Sequence, residues 1–398
     1  MNEAYTGREQ TLAKHFILEK YLQKLAYKVL QGKGDLPLTY VDAFSGPWES
    51  KTTNFADTSF MIAIRILKRV HADLAASGRP RPIRCFFVEE DTATYQQLYA
   101  AVASFNDPSK GFEIATFHGK FEDAVPHILK FVDRSFALTF IDPTGWKGYE
   151  FPKVGAILKH RPGEVLLNYM YDFINRFTAC HDPKVATTFD GILGANWNAR
   201  LEPALPRHQA VEKLFLDEFR KAGGFDYVLS TPIEKIDDRK HFCITYGTRS
   251  EHGLEAYRNV EFKALENHQE IRAVARQART EARTGQGILF EAAEIPSTHS
   301  IETLAAAEKT KARAWLEDQL RQGYSGGFDS LWPLMLEPFM LRVTNVRDIC
   351  CDLAKRGMIP DTWSAEGKRK PQKAHLIGPM IPPVASESVG LLASLSYD

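Results

Sequence analysis

The chain has 398 residues, 44% of them hydrophobic and 25% charged, an ordinary globular make-up that excludes a disordered, collagen-like or coiled-coil protein. Fifty basic side chains balance fifty acidic ones, so no net field draws the protein to a polyanion or a membrane, and nucleic-acid contact would need a local patch. At about 150 residues per domain, the length predicts two or three domains.

Cys85, Cys180, Cys243, Cys350 and Cys351 include no CxxC spacing, so no structural metal is expected. No apolar stretch reaches the roughly 18 residues of a membrane span; the longest, 60–67, is broken by Arg65. Thiols inside apolar runs and an opening without a signal-like apolar segment predict a cytoplasmic protein.

Leu18, Leu22, Leu25 and Val29 recur at helical spacing, predicting an amphipathic helix over 11–30, with Thr11 available as its cap, that covers a sheet edge or face. From Leu38 the text alternates short apolar runs with helical stretches: LTYVDAF, SFMIAIRILKRVHADLAA, IRCFFVE, TYQQLYAAVASF. This is the rhythm of a parallel sheet. FEIATF at 112–117, FALTFID at 136–142 and EVLLNYM at 164–170 continue it, apolar on both faces as buried parallel strands are.

Residues 171–207, rich in Asn, Asp, Pro, Gly and aromatics, exceed an ordinary connection and predict a lid or substrate loop. A helix at about 208–222 follows. YVLSTPIEKI and HFCITYGT then flank Asp237, Asp238 and Arg239, predicting a terminal antiparallel hairpin. Beyond 264, Arg272, Arg276, Arg279 and Arg283 share one helical face, either a solvated charged face or a phosphate-binding stripe. Val346, Ile349, Cys350 and Leu353 mark a short helix, with Thr344 as its expected cap and Gly357 as its stop. The basic stretch GKRKPQKAHLIGP after it makes a helix-turn-helix with a basic wing one reading and plain helical packing the other.

Several polar residues end apolar strands, where open α/β sheets bind ligands. Asp42 closes the first strand, and Gly46 allows close backbone approach. Glu89 closes the second, placed as an acid that accepts ribose hydroxyls; with Asp42 it points to an adenosine-containing ligand. Asp142, Pro143 and Trp146 follow the fourth strand. There a carboxylate and a carbonyl suit a substrate amine and an indole suits a planar base, the alternative being a turn with a core tryptophan. Asn168 adds a polar tip, and Asn175 with Arg176 is placed to grip a phosphate. Phosphate-loop and HExxH motifs are absent.

VDAFSGP, FFVEED and FIDPTGW resemble motifs of class I S-adenosylmethionine-dependent methyltransferases. The ordered set KHFILEKYL, YVDAFSGP, FVEED, FIDPTGW and NYMYDFINRF is similar to the three-Cys-motif partner protein family over roughly 8–265. The resemblance implies a Rossmann-like, mostly parallel seven-stranded α/β sheet with a terminal antiparallel hairpin, plus a helical, winged-helix-like C-terminal extension. The sequence predicts a division into an N-terminal helical segment (1–37), the methyltransferase-like domain (38–264), a helical linker (265–323) and a basic helix-turn-helix or winged-helix-like region (324–398). The implied cofactor is S-adenosylmethionine, with Asp42, Phe44 and Gly46 at its methionine end, Glu89 at its ribose, Lys120, Phe121 and Glu122 at its adenine, and Asp142 on the reaction side. Trp48 departs from the family's small residue and would obstruct the methionine tail unless turned outward. The expected activity is N-methylation of a nucleobase amine. The alternatives are a non-catalytic partner docking a radical-enzyme-like protein with a three-cysteine motif, or a DNA-binding regulator.

Overall fold

The computed structural model describes residues 5, 7–32, 34–47, 50–179, 183–284 and 300–380; Trp48 and Cys180 lie outside these described residues. Seven strands build one sheet: β1 (Leu38–Asp42), β2 (Ile83–Glu89), β3 (Phe112–His118), β4 (Phe136–Ile141), β5 (Gly163–Tyr169), β6 (Tyr227–Glu234) and β7 (Lys240–Thr248). Their order is β3-β2-β1-β4-β5-β7-β6. The first five run parallel, and β7 is antiparallel to both β5 and β6. This is the mostly parallel Rossmann-like sheet with a terminal hairpin that the strand runs predict.

Helices α1 (Glu9–Leu30), α2 (Ser59–Ala76), α3 (Thr92–Ala103), α4 (Phe121–Val132), α5 (Phe151–Leu158), α6 (Tyr171–Thr178), α7 (Pro183–Thr187), α8 (Asp190–Leu193), α9 (Arg207–Gly223) and α10 (Glu251–Thr284) surround it. Successive strand side chains point to opposite faces, so each strand feeds two cores. Tyr40, Phe87, Phe140 and Leu166 pack with α1, α2, α3 and α10. Val41, Phe86, Ile141 and Leu167 pack with α4, α5 and α9. A buried polar knot fastens α1 to the sheet: Tyr21 donates to Glu164 at 2.5 Å, and Thr248 Oγ1 donates to the same carboxylate at 2.9 Å.

Four differences from the sequence reading have physical causes. Thr11 lies inside α1, which begins at Glu9; ahead of it, Arg8 bonds Asp57 at 3.2 Å and fixes the entry of the chain. Over its described residues, the stretch 171–207 is largely helical rather than an open loop. Its Phe177, Phe189 and Trp197 join Trp146 in the second core, and burying aromatic area organises the segment. α10 runs unbroken for 34 residues across the expected boundary near 264. Arg272 and Arg276 turn inward as neither a solvated face nor a phosphate stripe: Arg272 is buried and bonds Glu234 at 2.6 Å, and both guanidinium groups reach Asp238 at the tip of the β6–β7 hairpin. Arg279 and Arg283 are exposed.

The chain continues through α11 (Ile301–Arg321), β8 (Gly326–Gly327), α12 (Phe328–Leu336), α13 (Val343–Lys355), α14 (Thr362–Ala365) and β9 (Leu376–Ile377). Gly357, at φ +69°, follows the end of α13 as expected, whereas Thr344 sits within the helix. A winged helix is not supported: β8 and β9 pair over two residues each, too short for a β-hairpin wing, and the basic stretch between α14 and β9 is tied back where Lys370 bonds Asp348 of α13 at 2.6 Å. Leu331, Met335, Ile349, Leu353, Trp363 and Ile377 join the same core as α1 and α2. No described helix is long and apolar enough to cross a membrane.

Candidate functional site

Strand register sets the floor and walls of the site. Asp42, the last residue of β1, pairs with Phe87 of β2 and Phe140 of β4. Both neighbours run on by two residues, to Glu89 and Asp142, which at about 3.3 Å per residue stand roughly 7 Å beyond Asp42 along the strands. Asp42 is therefore wholly buried and lies beneath the clefts. Its carboxylate accepts from the Phe44 amide at 3.3 Å and the Tyr40 hydroxyl at 3.2 Å. Burial pushes this carboxyl up to about 6, against the hydrogen bonds from Ser59 and Phe44 that favour its charge.

Above this floor the larger cleft, about 1390 Å³, lies at the carboxyl ends of β1 to β4. Phe44, Glu89, Lys120, Phe121, Glu122 and Asp142 all line it, gathering most of the sequence-predicted binding residues. Glu89 Oε1 accepts from the Asp91 amide at 2.8 Å and Thr94 Oγ1 at 2.9 Å; among the described residues nothing bonds its Oε2. Phe121 packs against Phe44 at 6.0 Å between ring centroids. Glu122 holds the wall together, accepting from the Glu150 amide at 3.2 Å and Lys153 Nζ at 3.0 Å. Lys120 is exposed at the mouth, 3.9 Å from Glu90.

A smaller cleft of about 370 Å³ opens on the other side of Asp142, lined by Gly46, Pro143 and Asn168 among others. Phe44, Asp142 and Thr144 border both clefts. Asp142 Oδ1 accepts from Asn168 Nδ2 at 2.7 Å, and Oδ2 bonds Lys14 of α1. Lys14 and Asp142 are only 13% and 14% exposed, so this pair is shielded from screening by water. Both carboxylate oxygens are thus engaged before any substrate arrives.

Besides Asp42, three expected residues stand outside these linings. Trp146 donates from Nε1 to Thr188 at 3.0 Å and stacks on Phe189 at 5.1 Å, which commits the indole to packing. Asn175 and Arg176 lie in the second turn of α6, about 5 Å further along its axis than Asp172 and Phe173; Arg176 rests over the Phe173 ring. Phe173 itself lines the smaller cleft.

The sequence reading missed the groups that complete that cleft: Lys14 and His15 from α1, Asp57 from the loop before α2, and His241 from the start of β7. His15 is buried and its Nδ1 meets the Tyr5 hydroxyl at 2.9 Å; burial, then the charges of Lys14 and Arg8, hold this imidazole well below its ordinary range. Asp57 accepts from the Lys51 amide at 2.9 Å and from Ser50 and Thr52, and these bonds outweigh burial to keep its carboxyl below the usual range. His241 Nδ1 lies 3.2 Å from Asp172 Oδ2. Lys14, His15 and Asp172 all fall within KHFILEKYL and NYMYDFINRF, so a signal was present, but all three residues lie on helices rather than at strand ends.

No family model matches the chain, and no curated protein does. Solved structures similar to it include a protein of Legionella pneumophila strain Philadelphia 1, 14% identical over 66% of this chain and 93% of that one, at a TM-score of 0.36. Another is loganic acid methyltransferase with SAH, 10% identical over 66% of this chain and 83% of that one, at a TM-score of 0.30. Both likenesses are distant.

Proposed function

We propose that the protein is an S-adenosylmethionine-dependent methyltransferase whose larger cleft holds the methyl donor and whose smaller cleft holds the acceptor. The observation that carries this reading is the meeting of two clefts at Phe44, Asp142 and Thr144, beside the carboxyl ends of β1 and β4, where the strand order reverses direction. Glu89 suits a ribose: Oε1 is held by Asp91 and Thr94, which aims the carboxylate and leaves Oε2 to accept hydroxyl hydrogens. Phe44 and Phe121 offer aromatic surface beside it. When bound, S-adenosylmethionine supplies a methyl group on a sulfonium, so the protein's work is alignment of donor and acceptor.

The residues do not favour the amino nucleobase expected from the sequence. Each Asp142 oxygen already accepts one bond, from Lys14 or from Asn168, and the half-buried Trp146 is engaged by Thr188 and Phe189 rather than left free for a base. Asp142 acts instead as a positioning residue that locks α1 and β5 to the boundary between the clefts. Membership of the three-Cys-motif partner family rests on the ordered motif set; under it, a protein bearing a three-cysteine motif would be the natural partner.

Titration calorimetry with S-adenosylhomocysteine tests the reading. Binding by the wild type that weakens about 5- to 150-fold in Glu89→Ala, the loss of charge-assisted hydrogen bonds, supports it. Absence of binding at millimolar ligand overturns it.

A further inference from the structure

The smaller cleft is lined by an imidazole, His241, whose carboxylate partner Asp172 is not itself part of the lining, and the methyltransferase reading does not use this pair. His241 lines the cleft together with Asp142, Asn168, Phe44, Phe173 and Phe242. Its Nδ1 lies 3.2 Å from Asp172 Oδ2, and a carboxylate can only accept, so Nδ1 carries the hydrogen and Nε2 of the neutral ring keeps its lone pair. Lys235 bonds the same Asp172 oxygen at 2.5 Å and fixes the carboxylate in turn. The charged groups facing His241 are Asp172 of α6, Lys235 at the end of β6 and Lys14 of α1. Burial holds the imidazole below its ordinary range; Asp172 opposes this, and Lys235 and Lys14 add to it.

Resting on the methyltransferase reading, we infer that His241, oriented by Asp172, is the general base that deprotonates an aromatic hydroxyl acceptor. An amine attacks through a lone pair it already has, whereas a hydroxyl gains nucleophilicity as its proton leaves. The proton passes to His241 Nε2, the acceptor oxygen forms its bond to the methyl carbon, and the electrons of the broken C–S bond remain on sulfur. The imidazolium then releases its proton to water. Phe44, Phe173 and Phe242 along the cleft suit a planar ring. His15, the other neutral imidazole there, is paired through Nδ1 with a hydroxyl that can donate or accept, so its partner does not define which nitrogen is basic.

Nitrogen-15 NMR of the full chain reads the tautomer without any turnover. The inference requires hydrogen on Nδ1, a bare Nε2 and titration below about 6.5, with Asp172→Asn shifting that titration; an Nε2–H tautomer overturns it. Turnover is read with 3-aminophenol, which carries a hydroxyl and an amine on one ring, and methyl-labelled S-adenosylmethionine. The expected product is the O-methyl ether. Its rate should fall on the order of 100- to 10,000-fold in His241→Ala, with S-adenosylhomocysteine affinity kept, and in the wild type should fall with acid through the pKa that NMR assigns to His241. N-methylation, no methylation by protein that binds S-adenosylhomocysteine, or an undiminished rate in His241→Ala overturns the inference. Failure of the wild type to bind S-adenosylhomocysteine defeats the methyltransferase reading instead.

Discussion

Asp42 shows how one carboxylate at a strand end can be a floor rather than a ligand. Because burial raises its folded-state pKa to about 6 while the unfolded value stays near 3.9, the folded protein binds the extra proton between these values. Stability contributed by this group is therefore fully present below about pH 4 and is lost as pH rises through about 6. Asp42→Asn removes the charge and should stabilise the protein at pH 7.5, by on the order of 3 kcal/mol at most, since each tenfold change in proton affinity is worth about 1.4 kcal/mol. The difference from wild type should vanish near pH 4, and melting temperatures across this range are the measurement. Glu89 and Asp142 look the same as Asp42 in sequence, an acid after an apolar run. Only the two-residue offset in register makes one a buried support and exposes the other two to the clefts.

Secondary elements were the most legible layer, because period-2 and period-3.6 apolar patterns are local properties of the chain. The strand runs at 38, 83, 112, 136 and 164 and the closing hairpin all stand where the sequence places them. What an element touches was less legible, as α10 shows. Its arginines share one face by spacing, and spacing cannot say whether that face meets water, phosphate or the Asp238 turn. In the fold Arg272 and Arg276 meet the turn, while Arg279 and Arg283 are exposed. Arg272→Ala should thus destabilise the protein by about 1 to 3 kcal/mol, because it leaves Glu234 without its buried partner and Asp238 with Arg276 alone; urea unfolding checks this. A stability unchanged by the substitution would return Arg272 to a surface role. α6 teaches the same lesson at smaller range: Phe173 lines the smaller cleft and Asp172 bonds His241, and Asn175 and Arg176 sit one turn away.

Across the whole molecule, the C-terminal helices are built into the sheet's first core rather than appended to it. Leu316, Leu331, Ile349 and Trp363 belong to the same cluster as Leu18, Phe60 and Phe87, and Arg258 of α10 donates to the carbonyls of Leu336 and Glu337 at 2.7 Å each. A chain ended after Ala264 cuts α10 near its middle and uncovers this apolar face. Such a protein should bind a hydrophobic dye and lose cooperative melting; cooperative melting near the wild-type temperature would mean that the two parts fold independently.

The sequence by itself determined the order and type of the elements and the strand ends where chemistry gathers, since both follow from patterns a few residues long. The tertiary structure alone decided that Lys14, 128 residues from Asp142 in the chain, neutralises it, and that Asp172 and His241, 69 residues apart, form a pair. Contacts of that kind depend on which helix face crosses which strand end. That is set by burial summed over whole elements, so the residues in the pair carry no local mark of it.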